Sequence, residues 1–423
     1  MAGTSIPLMA REAGRWSALG HRDGLLWGSY LGSAPDPYRT SVLVEGSARS
    51  RATTCSCPSR QVPCKHAVSL LQLWSAGQVP DASPPDHVST WRAAVSHPAK
   101  PRRTMHPEAA AKRAAQRQER VRLGLDELDV WLGDQVRAGL AALRRGGYGP
   151  VDQMAARMVD AQAPGLAGML RALPARFVGD DWPARTLEQL ALIRLLVAAH
   201  RRLDDLPSDL AETVRSRVGY PTSRESVLAR PAVRDQWAVL GHVDVVDYRL
   251  TSRRVWLRGE RSGRWAVLLS FAAGRASLDS TVLPGVSIDA DLHFYPGAGQ
   301  HRALVGIEHG RVDGVPDVPG VGARRAAEQL GDLVAADPWA ERLPVVLHGA
   351  PVPPEQDGGR WLFRGEDGAA VPLLPGVEAW PLMARSMGDP VDVAGEWTRR
   401  GFLPLGFLPH PLDPFFSVEV VSR

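Results

Sequence analysis

Between residues 14 and 48, short apolar runs alternate with turn residues: RWSALG, GLLWGSYLG and YRTSVLVEGS. Runs of this length, separated by glycine, predict three short strands in a meander. AVSLLQLW at 67–74 is apolar at 67, 68, 70, 71, 73 and 74. That pattern predicts a helix laid on the sheet and ended by Gly77 and Pro80. Residues 77–107 are rich in proline and polar groups without a sustained period, and are expected as a linker. From 108 to 145, Leu125, Leu128, Trp131, Leu132, Val136 and Leu140 recur at three- and four-residue steps. A long amphipathic helix follows, which Gly124 is expected to divide. Further helices are expected at 151–172, 186–203 and 210–218.

Beyond 235 the texture changes to strand-like runs, WAVLGHVDVVDYRL, RRVWLRGE and RWAVLLSFAA, with RSG at 261–263 as a hairpin connection. ARRAAEQLGDLVAAD at 323–337 predicts one helix among the strands, and RWLFRGEDGAAVPLL at 360–374 a hairpin turning through EDG. The expected fold is multidomain α+β: a small β-sheet plus helix at 1–76, the linker at 77–107, a helical domain at 108–222 and a β-rich C-terminal domain at 223–423.

Composition bounds this picture. At 423 residues and 44% hydrophobic content, the chain exceeds one core at about 150 residues per domain and is no disordered polymer. The longest apolar stretch, ALIRLLVAAH at 191–200, is broken by Arg194, so no membrane span is expected. The first residues lack the basic leader and apolar stretch of a secretory signal, and a cytoplasmic location is expected. The net charge of +4 is small, and lysine occurs only at 65, 100 and 112. The arginine excess reads as a coding bias, so only local clustering carries an argument for nucleic acid.

All three cysteines fall between 55 and 64. Cys55, Cys57, Cys64 and His66 form C-x-C, six residues, then C-x-H, a set of thiolate and imidazole donors that satisfies tetrahedral zinc without water. A closed shell of four protein ligands predicts one structural zinc per chain, since catalytic zinc keeps a position open. An odd cysteine count excludes a closed disulfide framework, and the redox spacing C-x-x-C is absent. Pro58 and Pro63 stiffen the loop between the ligand pairs, and Lys65 offsets part of the thiolate charge.

The pattern resembles the SWIM zinc finger over about 40–74, in the strand YRTSVLVEG, the CP at 57–58, the CKH at 64–66 and the following apolar helix. The resemblance implies zinc ligation by Cys55, Cys57, Cys64 and His66, a fold of small sheet plus helix, and binding to DNA or protein. It carries no catalytic residue. The layout of the remainder is similar to bacterial SWIM proteins, some of them encoded beside MoxR-type ATPases and von Willebrand A domain proteins.

Between Lys100 and Arg122 lie eight basic residues against Glu108 and Glu119, and Arg113, Arg117 and Arg120 share a helical face. With Lys65, and with Arg49, Arg51 and Arg60 around the finger, they are the candidate nucleic-acid contacts. PGVGARRAAEQL at 319–330 resembles the hairpin of a helix-hairpin-helix motif, but GRVDGVPDV before it does not read as the required first helix; a turn into a helix N-terminus is expected. Asp289, Asp291 and His293 alternate along one strand face, where two carboxylates and an imidazole could hold a metal or move protons. A solvated strand face is the commoner meaning of such a pattern. No phosphate loop, nucleophile elbow or H-E-x-x-H is present, and no small-molecule substrate is inferred. The function expected is therefore non-enzymatic binding of DNA or protein through the finger and its basic neighbour. The alternative is an adaptor that docks a MoxR-type ATPase or von Willebrand A domain partner without touching nucleic acid.

Overall fold

The computed structural model describes residues 14–32, 36–44, 53–57, 64–96, 107–247, 250–273, 282, 284–356, 359–408 and 418–421. The chain forms two compact units, one of residues 1–104 with 248–251 and 271–281, the other of 105–247, 252–270 and 282–423. Among the described residues no helix is long and apolar enough to cross a membrane.

The first unit opens with an antiparallel sheet of β1 (Trp16–Arg22), β2 (Leu25–Tyr30), β3 (Tyr38–Leu43) and β4 (Thr53–Cys55), in that order. The three expected strands are present; β4 has only three residues, too few to show a period. Asp23 and Gly24 join β1 to β2 with φ of 48° and 70°, and Arg22 pairs with Leu25. Two consecutive positive φ angles make the mirror-image turn whose twist matches paired strands, and a D-G dipeptide adopts it readily. Helix α1 (Lys65–Ser75) buries His66, Ala67, Ser69, Leu70 and Leu73. Ala67, Leu70 and Leu73 pack with Trp16, Leu26, Tyr30, Val42 and Val79 in one apolar cluster, while Lys65, Val68 and Gln72 are exposed. A second helix, α2 (Asp86–Ser96), occupies the stretch expected as a linker. Among its residues 86–92 only Val88 is buried, against Leu25, Trp27 and Leu43, so no repeating apolar stripe announced it.

The second unit begins with α3 (Pro107–Ala138), α4 (Leu140–Gly146), α5 (Tyr148–Asp160), α6 (Pro164–Arg171), α7 (Trp182–Arg201) and α8 (Ser208–Val218). Gly124 does not divide α3. It is buried where a Cβ would stand 2.4 Å from the Cβ of Ala161, so it lets two backbones approach. Val121, Leu125, Leu128 and Leu132 of α3 enter the core with Met158, Leu166, Ile193, Leu196 and Val214. Val136, expected on the same stripe, is 52% exposed. The helix expected across 151–172 is two, because Gln162 turns to φ 63° and Pro164 starts α6.

After α9 (Arg224–Leu228), the chain runs through β5 (Ala232–Asp247), β6 (Leu250–Gly259), β7 (Trp265–Ala273), β8 (Val286–Phe294), β9 (Ala303–Asp313), α10 (Ala323–Ala336), β10 (Arg342–Val352), β11 (Leu362–Arg364), β12 (Ala370–Pro372), α11 (Trp380–Ser386), β13 (Val391–Thr398), β14 (Gly401–Phe407) and β15 (Val418–Val421). One sheet has the order β7-β6-β5-β8-β9 with β15 parallel to β5, the other β12-β11-β10-β13-β14. Both expected hairpins are found, RSG between β6 and β7 and EDG between β11 and β12, where Arg364 pairs with Ala370. Glu396 of β13, 1% exposed, accepts hydrogen bonds from Arg254 at 2.9 and 3.0 Å and from Trp256 at 2.7 Å. A buried carboxylate needs such partners to stay charged. The helices are bonded to this region in turn: Trp339 Nε1 donates to the Leu192 carbonyl at 2.9 Å, and Arg217 meets Asp337 at 2.7 Å.

Candidate metal centre

Two short pieces of backbone bring the four donors together. The first pair rides on β4, whose last residue is Cys55 and is paired with Thr40 of β3. Ser56 fixes the link to Cys57: its amide donates to the Arg39 carbonyl and its Oγ accepts from the Arg39 amide, both at 3.0 Å. The second pair sits at the start of α1, with Cys64 as its N-cap and His66 in its first turn. The His66 ring lies between Tyr30 and Tyr38, with centroids 4.4 and 5.2 Å away, and turns Nδ1 toward Cys55 Sγ at 3.7 Å.

Donor chemistry and spacing fit zinc. The ligand atoms of Cys55, Cys57, Cys64 and His66 all lie within 4.8 Å of one another. Tetrahedral bonds of about 2.0–2.3 Å put neighbouring donors roughly 3.3–3.8 Å apart. Cys57, Cys64 and His66 are 7%, 5% and 3% exposed. Burial pushes the Cys55 thiol up to about 12, with the Thr40 hydrogen bond pulling the other way. Thiols so withdrawn from water ionise when a cation supplies the missing solvation. Cys55, Cys57, Cys64 and His66 would supply all four ligands of one zinc ion, which would tie the sheet to the helix as structural zinc does.

The other sequence candidates are more dispersed. Lys65 is exposed on α1, and Lys112, Arg113 and Arg120 are exposed on the first turns of α3. Arg117 differs from its neighbours: one guanidinium nitrogen donates to the carbonyls of Gln162 and Gly219, both at 2.9 Å, and the group stands 5.2 Å over the Tyr220 ring. Arg49, Arg51, Pro58, Arg60, Pro63, Lys100, Arg102, Arg103 and the Glu108 side chain lie outside the described residues.

Asp289, Asp291 and His293 share β8 but are not gathered into a site. Asp289 accepts from Arg234 at 3.0 and 3.2 Å, Asp291 pairs with His309 at 3.0 Å, and His293 Nδ1 meets the Arg230 carbonyl at 2.8 Å. Asp289 and Arg234 border a cleft of about 850 Å³ that Glu260, Arg261 and Asp313 also line. One wall is organised by Asp235, 1% exposed, which accepts from the amides of Gln236, Arg261 and Ser262. The sequence gives no sign of it, because Arg261 and Ser262 lie on a turn that strand pairing brings round to Asp235. The segment before α10 contains no helix; Val321 bridges to Leu347 of β10, so the hairpin resemblance lacks its first helix.

Residues 38–74 match the family model of the SWIM zinc finger, and residues 116–218 match that of the SWIM-associated four-helix bundle domain. No curated protein and no solved structure matches the chain. The SWIM finger is a binding module, and nothing among the described residues supplies positive evidence of an enzymatic activity. Residues 38–74 thus match a SWIM zinc finger, with Cys55, Cys57, Cys64 and His66 positioned to bind one metal ion, and residues 116–218 match a SWIM-associated four-helix bundle.

Proposed function

We propose that this chain binds nucleic acid without catalysing a reaction on it, using the zinc finger and the exposed basic start of α3. The observation that carries this reading is the run 111–120, in which every side chain but Arg117 is exposed and Lys112, Arg113 and Arg120 supply positive charge. Such a helix contacts phosphates through long flexible cations and yields affinity that falls steeply with salt. Lys65 and Arg39, both exposed beside the ligands, give the finger the same sign of charge. Arg117 is assigned no phosphate contact, since its guanidinium already serves two carbonyls and a ring.

The test is anisotropy of a labelled duplex titrated with the chain across salt concentrations. Reversing Lys112, Arg113 and Arg120 to glutamate is expected to abolish most binding at moderate salt and to flatten the salt slope by about 3, one unit per lost phosphate contact. Arg117→Ala is expected to lower stability instead. Binding unchanged by the triple reversal would sink the reading. An adaptor function is the second reading, supported by Leu123 and Val130, 54% and 65% exposed and seven residues apart on one face of the same helix. Under it, a protein partner is retained after nuclease treatment and lost on Leu123→Glu with Val130→Glu.

A further inference from the structure

The four ligands are not equally protected. Cys57, Cys64 and His66 are buried, whereas Cys55 is half-buried, at the end of a strand of only three residues. Beyond Cys55 the β3–β4 ladder stops, and the last backbone tie between the two strands is the Ser56 amide on the Arg39 carbonyl. One buried side chain does reach it. Thr40, 1% exposed and paired with Cys55 across the strands, sets its Oγ1 3.1 Å from Cys55 Sγ.

We propose that Thr40 is a positioning residue of the metal centre, whose hydroxyl donates to the Cys55 thiolate and keeps the most accessible ligand on the ion. A metal-bound thiolate carries no proton, so the hydrogen in this bond comes from the threonine and its direction is fixed. The bond draws electron density from a sulfur that shares one divalent ion with two other thiolates, and it opposes rotation of the Cys55 side chain away from the cluster. The hydroxyl sits on β3, anchored to β2 by its own ladder, so strand pairing and not a ligand bond sets its place in the folded finger. The inference rests on zinc ligation by the cluster and is independent of whether the partner is nucleic acid or protein.

The experiment compares the zinc-loaded full chain with Thr40→Val, which keeps shape and removes the hydroxyl, and with Thr40→Ser, which keeps it. Two quantities are followed: zinc transfer to an excess of colorimetric chelator, and iodoacetamide labelling of each cysteine mapped by peptide. Thr40→Val is expected to release zinc about tenfold faster, the scale found when a ligand loses its outer hydrogen bond, with Cys55 labelled ahead of Cys57 and Cys64. Thr40→Ser is expected to release it at close to the parent rate. A wild-type release rate in the valine variant, equally fast release in the serine variant, or labelling that rises alike at all three cysteines would each overturn the proposal. The last outcome marks opening of the whole module. Should valine prevent folding, Thr40→Ala is read by the same two measurements, with cobalt(II) loading as a third: its sulfur-to-metal band should shift for alanine and not for serine.

Discussion

The ring of His301 lies edge-on to Trp256, with centroids 5.8 Å apart, and its Nε2 is buried without a hydrogen-bond partner among the described residues. Burial lowers its pKa from the ordinary 6.5 to about 4, although a backbone hydrogen bond with Trp265 favours the charged form. Between those two values the unfolded chain binds a proton that the folded chain does not. Stability is therefore highest above pH 6.5 and falls as pH drops toward 4, by on the order of 3 kcal/mol. His301→Gln should remove that part of the acid sensitivity, seen as a smaller fall in melting temperature between pH 7 and pH 4.5; an unchanged fall would count against it. Arg117 makes the complementary point about what one residue discloses. The steps to Arg113 and Arg120 predict a shared helical face, but its acceptors stand 45 and 102 residues along the chain, beyond the reach of any local pattern. The zinc ligands were legible for the opposite reason: three of the four are held within ten residues by chemistry that tolerates few other donors.

Among elements, α3 shows two effects in opposition at Gly124. Alanine is preferred to glycine inside a helix by about 1 kcal/mol, yet its methyl would stand 2.4 Å from the Ala161 Cβ. Neither methyl can fold aside as a long side chain would, and overpacking costs about 1–3 kcal/mol. Gly124→Ala is expected to destabilise the bundle by roughly 1 kcal/mol net, and adding Ala161→Gly should recover much of the loss. Equal melting of the single and double variants would show that the helices separate freely. The long helix and the strand-rich texture were readable because apolar side chains recur along them. The elements that escaped include β4 and α2, which bury too little to repeat, since β4 is three residues long and Val88 is the one buried residue in 86–92, and the short helices α9 and α11 in the β-rich region, where one helix was expected. The Gln162–Pro164 break shows a further limit, since an apolar period on both sides read as one helix while backbone geometry made two.

For the molecule as a whole, the metal belongs to the first unit, and the bundle and the two sheets belong to the second with cores of their own. Structural zinc contributes about 10–16 kcal/mol in small fingers, as much as the entire stability of a typical domain. Chelation should thus remove one calorimetric transition and leave another, with most of the helical circular dichroism retained because α3 to α8 lie in the second unit. Cys57→Ser should reproduce this pattern; a chelated chain with both transitions intact would refute the dependence of the finger on its ion.

One pairing in the second unit bears on how the chain is made. The far half of β5 has β15 as a parallel neighbour, Val243 opposite Val418 through Val246 opposite Val421. During synthesis, residues 243–246 leave the ribosome long before their partners exist. Throughout that interval Val243, Val245 and Val246, with Asp244 among them, lie on an open strand edge, the kind of surface on which nascent chains stick to one another or to a chaperone. Completion of this sheet is a late event, timed by elongation as well as by folding.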